Sequence, residues 1–231
     1  MATCMLGDRS PHSQRMAHVG AVIGLGTLIT VTSLSCEGSR RTAEGGFWFE
    51  GVTFDLPQTD ADRPGGPIHD AEKRTIQLVA SSELRIAFSG LRIAFSENHR
   101  ALYRVSVVQS FSDTGAAGQS RVLPPFGGQG SVSYLLLASL AIAHAPPSAD
   151  RAAVIEGIGR GIGRAAAHEF AHQILASAHM DASQDSESYE YRTADRAAQY
   201  YGPMHWGVAW PLLVRALGQY SDSQQGARPR R

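Results

Sequence analysis

The chain has 231 residues, 43% hydrophobic and 18% charged, enough for one globular domain with a short appendage and too apolar for a disordered chain. Lys+Arg and Asp+Glu both number 21, so no broad basic surface exists to gather phosphates, which excludes nucleic acid as the expected partner. Cys4 and Cys36 both precede the body of the chain, which therefore has no internal disulfide and no thiolate metal site. Any metal must rest on His, Asp or Glu.

Arg9 and Arg15 precede an apolar run at 19–31 (VGAVIGLGTLITV) and then small and hydroxyl residues up to Cys36, the layout of an export signal. Thirteen residues are too few to span ~30 Å of hydrocarbon as a helix, whereas the uncharged stretch 16–35 has 20. Ser33-Leu34-Ser35-Cys36 resembles a bacterial lipobox, although Ser33 stands where Leu is preferred. Residues 1–36 are thus a cleaved signal peptide, a lipoprotein anchor or a retained membrane anchor, and each puts the body outside the cytoplasm, secreted or attached to the envelope.

Residues 37–46, polar and glycine-bearing, are expected to be a tether. Phe47-Trp48-Phe49 and Val52-Thr53-Phe54 then predict a first pair of strands, and 58–67 a loop. Residues 76–80 fit helix or strand. An exact tandem repeat follows, Leu84-Arg85-Ile86-Ala87-Phe88-Ser89-Gly90 and Leu91-Arg92-Ile93-Ala94-Phe95-Ser96. Each copy alternates as a strand does, but a seven-residue period reverses strand parity, so a bend or bulge near Gly90 is required. Residues 103–108 predict a strand, 121–130 a Pro/Gly loop, and 131–143 an apolar run that is a buried strand or the start of a helix.

Asp150 is a good N-cap for a helix over 151–176. Gly157, Gly159, Gly161 and Gly163 interrupt it at every second position, at ~1 kcal/mol each against alanine. That spacing is not G-x-G-x-x-G and no P-loop lysine follows, so the glycines are read as allowing close packing on the sheet, with Ile158 and Ile162 on the buried stripe. Further helices are predicted over 186–201 and 208–217. Tyr200, Tyr201, Trp206 and Trp210 read as an aromatic cluster between them, Asp195-Arg196 and the Glu187 and Arg192 pair as solvated helix charges, and 220–231 as a tail.

The chemistry is concentrated in His168-Glu169-Phe170-Ala171-His172, an H-E-x-x-H match. Positions four apart share one helix face, so both imidazoles can converge on one ion at ~2.0–2.1 Å, while Glu169, ~100° round the helix, reaches a water on it. Zinc lowers the pKa of such a water toward ~7, and the carboxylate takes its proton and passes it to a leaving amine. With nine His and ten Glu, chance placement gives about 1–2% for one such motif, and its position on a helix with apolar Phe170, Ile174 and Leu175 lowers that further.

The stretch from Gly163 to Leu175 resembles the active-site helix of the zincin metallopeptidases, strongly over some 15 residues and loosely over 40. The resemblance implies an α+β fold with a mixed sheet packed on the active-site helix and further helices C-terminal to it. It also implies Zn2+ held by His168 and His172, and Glu169 as general base. A third protein ligand must complete the site, and three candidates stand. His179 comes first, as in metzincins, where the third His follows the second by six residues with a glycine between. Here the step is seven, and in a continuing helix His179 would lie ~10.5 Å along the axis from His172, so the chain must turn within Ala176-Ser177-Ala178. Met204 would then be the methionine beneath the metal. Glu190 is the gluzincin-like rival, with Asp195 five residues on where four is expected. Asp181 is the third. Tyr189, Tyr191 or His205 are candidates to stabilise an oxyanion.

The sequence therefore predicts an exported zinc metallopeptidase with its catalytic domain at 47–219, cleaving a peptide or protein substrate through a zinc-bound water activated by Glu169. The alternative is a zincin-fold envelope binding or scaffold protein without turnover, which the irregular spacing of the third ligand favours.

Overall fold

A computed structural model describes residues 41–58, 66–111, 115–123, 127–176 and 183–220. The leader at 1–36, His179, Asp181 and the tail beyond Tyr220 lie outside the described residues. Among those described, no helix is long and apolar enough to cross a membrane.

The fold is α+β, with a mixed five-stranded sheet. Its strands are β1 (Ala43–Phe49), β4 (Ile93–Ser96), β5 (Tyr103–Val108), β6 (Gly118–Val122) and β7 (Gly128–Ser133), in the order β4-β1-β5-β7-β6. The first four in that row run parallel, and β6 runs antiparallel to β7 at the edge. A separate two-residue ladder joins β2 (Asp55–Leu56) to β3 (Gly66–Pro67). Helix α1 (Asp70–Ala87) carries the chain from β1 to β4, and α2 (Tyr134–Ala143) follows β7. The long α3 (Arg151–Leu175) lies against β5, β6, β7, α1 and α2, and α4 (Ala198–Tyr201) and α5 (Ala209–Leu217) close the chain. Val105, Val107 and Val132 are fully buried, as are Ile76, Ala80 and Leu84, spaced four apart on one face of α1.

Several sequence expectations change. β1 begins at Ala43, inside the expected tether, and Gly45 and Gly46 are strand residues because the space beside them is occupied. A Cβ on Gly46 would lie 2.2 Å from the Asn98 carbonyl oxygen, and one on Gly45 2.7 Å from the Phe95 ring. Residues 52–54 do not pair with β1, whose partners are β4 and β5. Of the loop expected at 121–130, residues 121–122 end β6 and 128–130 start β7, while 124–126 lie outside the described residues, and the run at 131–143 divides at Ser133, whose hydroxyl accepts from the Leu136 amide and starts α2.

The two copies of the repeat take different structures. In the first, Leu84, Ala87 and Phe88 are buried at helical spacing at the end of α1; in the second, Leu91 and Ile93 are buried at strand spacing leading into β4. Both patterns exist in the same hexapeptide, and the surrounding packing selects between them. Gly90 supplies the expected bend, with φ at 84°.

Helix α3 starts as expected, with the Asp150 carboxylate accepting from the Ala153 amide at 2.8 Å. Arg151 on its first turn ties it to α1 through Glu72, at 2.6 and 3.0 Å. The Arg151 hydrogen bonds hold the Glu72 carboxyl down to about 2. Ile158 and Ile162 are fully buried, but the glycines face helices, not the sheet. Gly159 and Gly163 admit α1, where an added Cβ would meet the Ile76 and Ala80 carbonyl oxygens at 2.9 and 2.4 Å. Gly157 and Gly161 admit the rings of Tyr201 and Tyr200. Gly163→Ala is therefore expected to destabilise by ~1–2 kcal/mol in urea denaturation, because overpacking against backbone outweighs the ~1 kcal/mol propensity gain. Gly157→Ala, which meets a side chain that can move, is expected to lose less. A Gly163→Ala variant as stable as the parent would refute the close approach.

The expected helix at 186–201 is absent except for α4. Side chains capture the main chain there in place of helical bonds. The Ser188 hydroxyl accepts from the Glu190 amide at 3.1 Å, Asp185 from the Glu187 amide at 2.9 Å, and Arg196 donates to the carbonyls of Ser186 and Ser188. Arg196, expected to be solvated, is 8% exposed, and burial pulls its guanidinium down to about 10. Asp195 pairs with His144 at 2.8 Å.

Candidate active site

Helix α3 presents two adjacent rows of polar side chains one turn apart. His168 and His172 form one row. Glu169 and Gln173 form the other, both buried. The sheet edge makes room for the second row with glycines. A Cβ on Gly118 of β6 would lie 2.3 Å from Glu169 Oε1, and one on Gly128 of β7 would lie 2.2 Å from Gln173 Cγ. Gln173 exchanges two 3.0 Å hydrogen bonds with the Arg104 main chain, accepting from the amide and donating to the carbonyl. Ser120 on β6 donates to the Glu169 carbonyl at 3.1 Å. These bonds seat the helix in a fixed register on the β5-β7-β6 edge.

The imidazoles converge. Nε2 of His168 and Nε2 of His172 are 2.9 Å apart, with ring centroids at 4.6 Å and planes at 78°. Nδ1 of His168 lies 2.7 Å from the Tyr189 carbonyl oxygen. A carbonyl only accepts, so Nδ1 carries the proton and Nε2 presents its lone pair inward. This outer bond is the kind that orients a metal-binding histidine. A tetrahedral zinc ion holds two such nitrogens ~3.3–3.4 Å apart, so a small side-chain rotation separates the pair enough to admit it. The two imidazoles therefore fit the ion.

Both rings and Glu169 line a cavity of about 780 Å³ bounded by β6, α2, α3 and the segment 189–199. The chain matches no known family model, no curated protein and no solved structure.

The described residues hold no group of three His, Cys, Asp or Glu side chains placed to bind a metal ion, and His179 and Asp181 lie outside them. Glu190 is committed elsewhere. Its carboxylate, 1% exposed, accepts from the amides of Gly207 and Ala209 at 2.6 and 2.8 Å, capping α5, and it does not line the cavity. Met204 is half-buried and packs on the core, outside the cavity lining. Of the residues considered for an oxyanion, His205 pairs with Asp185 at 3.0 Å away from the cavity lining. Tyr189 turns its ring onto Trp206, at 4.7 Å between centroids, and burial pushes its hydroxyl up to about 12. Tyr191 lines the cavity with Arg196 stacked over its ring at 4.7 Å. The expected aromatic cluster is split, since Trp206 packs with Tyr189 and Phe88 while Tyr200 and Tyr201 fill the glycine face of α3.

The sequence did not point to the roles of Gly118, Gln173 or the Tyr189 carbonyl. A carbonyl has no residue-type signal, and the clearance at Gly118 exists only once β6 lies beside α3. Gln173 is adjacent to the motif and carried a readable clue, since it stands one turn after Glu169 on the same helix face.

Proposed function

We propose that the protein is a zinc-dependent metallopeptidase of zincin type, exported from the cytoplasm, with Glu169 as the group that moves the proton. The observation that carries this reading is the inward convergence of His168 and His172, with the His168 tautomer set by the Tyr189 carbonyl, beside a carboxylate in a peptide-sized cavity. The mixed sheet packed on the motif helix agrees with the fold that the resemblance implies.

His168 and His172 would hold the ion with His179 as third ligand. When bound, zinc supplies a positive centre that acidifies a water and polarises the scissile carbonyl. Glu169 accepts the proton from the attacking water and delivers it to the amine as the C–N bond breaks, so the carboxylate ends the cycle as it began. The carboxylate is buried where Gly118 of β6 leaves room for it, which limits the positions its oxygens can take. Gly118→Ala is expected to displace the carboxylate and lower kcat for peptide hydrolysis ~10–100-fold with zinc content unchanged. Unaltered kcat would show that the clearance is not needed.

The reading is tested by metal analysis of the purified protein and hydrolysis of an unfolded protein substrate. One zinc per chain and cleavage abolished by a chelator support it. Zinc without cleavage points to the binding or scaffold alternative, and no zinc at all removes both.

A further inference from the structure

Helix α5 has two apolar faces, and among the described residues only one of them is covered. Ala209, Leu213 and Leu217 are buried in the core. The exposed arc on the other side, counted from Val208 at the start of the helix, is Val208, Pro211, Leu212, Arg215 and Ala216. Val208 and Leu212 are 74% and 44% exposed and one turn apart. A surface helix normally turns polar residues outward, and here the outward arc has a single charged residue.

This face lies where the leader joins the body. The Thr42 and Tyr220 hydroxyls are 3.2 Å apart. The Ala43 amide donates to the Arg92 carbonyl, and the Arg92 amide to the carbonyl of Gly218, the C-cap of α5, each at 2.9 Å. Only residues 37–40 separate Arg41 from Cys36, so a leader anchored as far as Cys36 keeps Arg41 within ~18 Å of the membrane. That reach is comparable with the ~13 Å length of α5, so the exposed face and the lipid stay within reach of each other. The two segments that meet there, 37–42 and 220–231, carry five arginines against Glu37 and Asp222. Glu44, the next acid on β1, accepts from the Ser96 hydroxyl at 3.1 Å. Apolar side chains framed by arginines are the combination that seats a helix at an anionic lipid surface.

We propose that the Val208, Leu212 and Ala216 face of α5 docks on the anionic lipid surface of the membrane that holds the leader, so that the body rests on the bilayer instead of swinging on its tether. Val208 and Leu212 enter the boundary between headgroups and acyl chains, and Arg215, on the same arc, faces the phosphates. This requires one of the two anchored forms of the leader. It is independent of the peptidase reading, since it uses neither the imidazoles nor the cavity.

The test is a full chain with a specific protease site placed within 37–40, reconstituted into vesicles of phosphatidylcholine and phosphatidylglycerol and then cut, so that the folded body is freed from its leader on the bilayer. The cut body is expected to sediment with the vesicles. Val208→Glu and Leu212→Glu are each expected to weaken that binding by ~10-fold or more, the scale of an apolar side chain withdrawn from lipid and replaced by a charge. Leu78→Glu, at a position 70% exposed in the first half of α1, is expected to leave it unchanged. All three positions are exposed, and the thermal unfolding midpoint of each cut body, matched to the parent's, shows that the fold is kept. A cut body that leaves the vesicles, or binding that all three substitutions weaken equally, overturns the proposal. Release as a dimer that Leu212→Glu dissociates gives the face to a second copy of the chain and overturns it as well. Full chain that fails to sediment with the vesicles before the cut overturns the anchored leader, and the docking with it, while the peptidase reading stands.

Discussion

Glu169→Gln is expected to keep one zinc per chain and to lower peptide hydrolysis by ~10²–10⁴-fold or more, the range over which a positioned general base contributes. The amide fills the same volume beside Gly118, so the helix register set by Gln173 and Ser120 is preserved. What it lacks is a basic oxygen, and without one the water keeps its proton. His168→Ala is expected to behave differently. It removes one nitrogen donor and leaves the Tyr189 carbonyl without its partner, so zinc content falls together with activity. The part of the thermal stability that depends on added zinc should fall as well, because a bound ligand stabilises the folded state in proportion to its affinity. Metal analysis and a progress curve on each variant separate the two roles. Both variants retaining full activity would remove the mechanism.

The helix carrying this chemistry was legible because its information is local. Asp150 marks its start, a period of 3.6 runs through Ile158 and Ile162, and H-E-x-x-H states its own geometry. The neighbours of its glycines were not legible. Nothing near Gly163 in the chain says that Ala80 will lie against it, so the glycines were assigned to the sheet when α1 and two tyrosines fill them. The repeat at 84–96 shows the same limit more sharply. Identical hexapeptides become helix and strand, and the choice lies in whether α3 or β1 is the partner. The segment 186–201 misled for another reason. Its helical composition is overridden by Ser188, Arg196 and Glu190, whose side chains bond to main chain, and such bonds have no periodicity to read.

Glu190 makes that last point testable, because two roles for one carboxylate predict opposite results. As the acceptor for the amides of Gly207 and Ala209, it starts a helix whose own N-cap, Val208, has no side-chain acceptor to offer. Glu190→Ala would leave the buried Ala209 amide and the part-buried Gly207 amide unpaired, at ~1–3 kcal/mol for the buried one, and remove a negative charge from a helix N-terminus, an expected loss of ~2–4 kcal/mol in denaturant unfolding. Glu190→Gln keeps an acceptor oxygen and is expected to lose about half as much. In both, the fraction that stays folded should still bind one zinc. A gluzincin-like ligand would give the reverse, with Glu190→Gln near normal in stability and depleted of metal. His179→Ala supplies the matching arm. If His179 completes the triad with His168 and His172, its loss should empty the site. Metal loss in Glu190→Gln together with metal retention in His179→Ala would transfer the third position to Glu190 and require its carboxylate to leave the α5 amides.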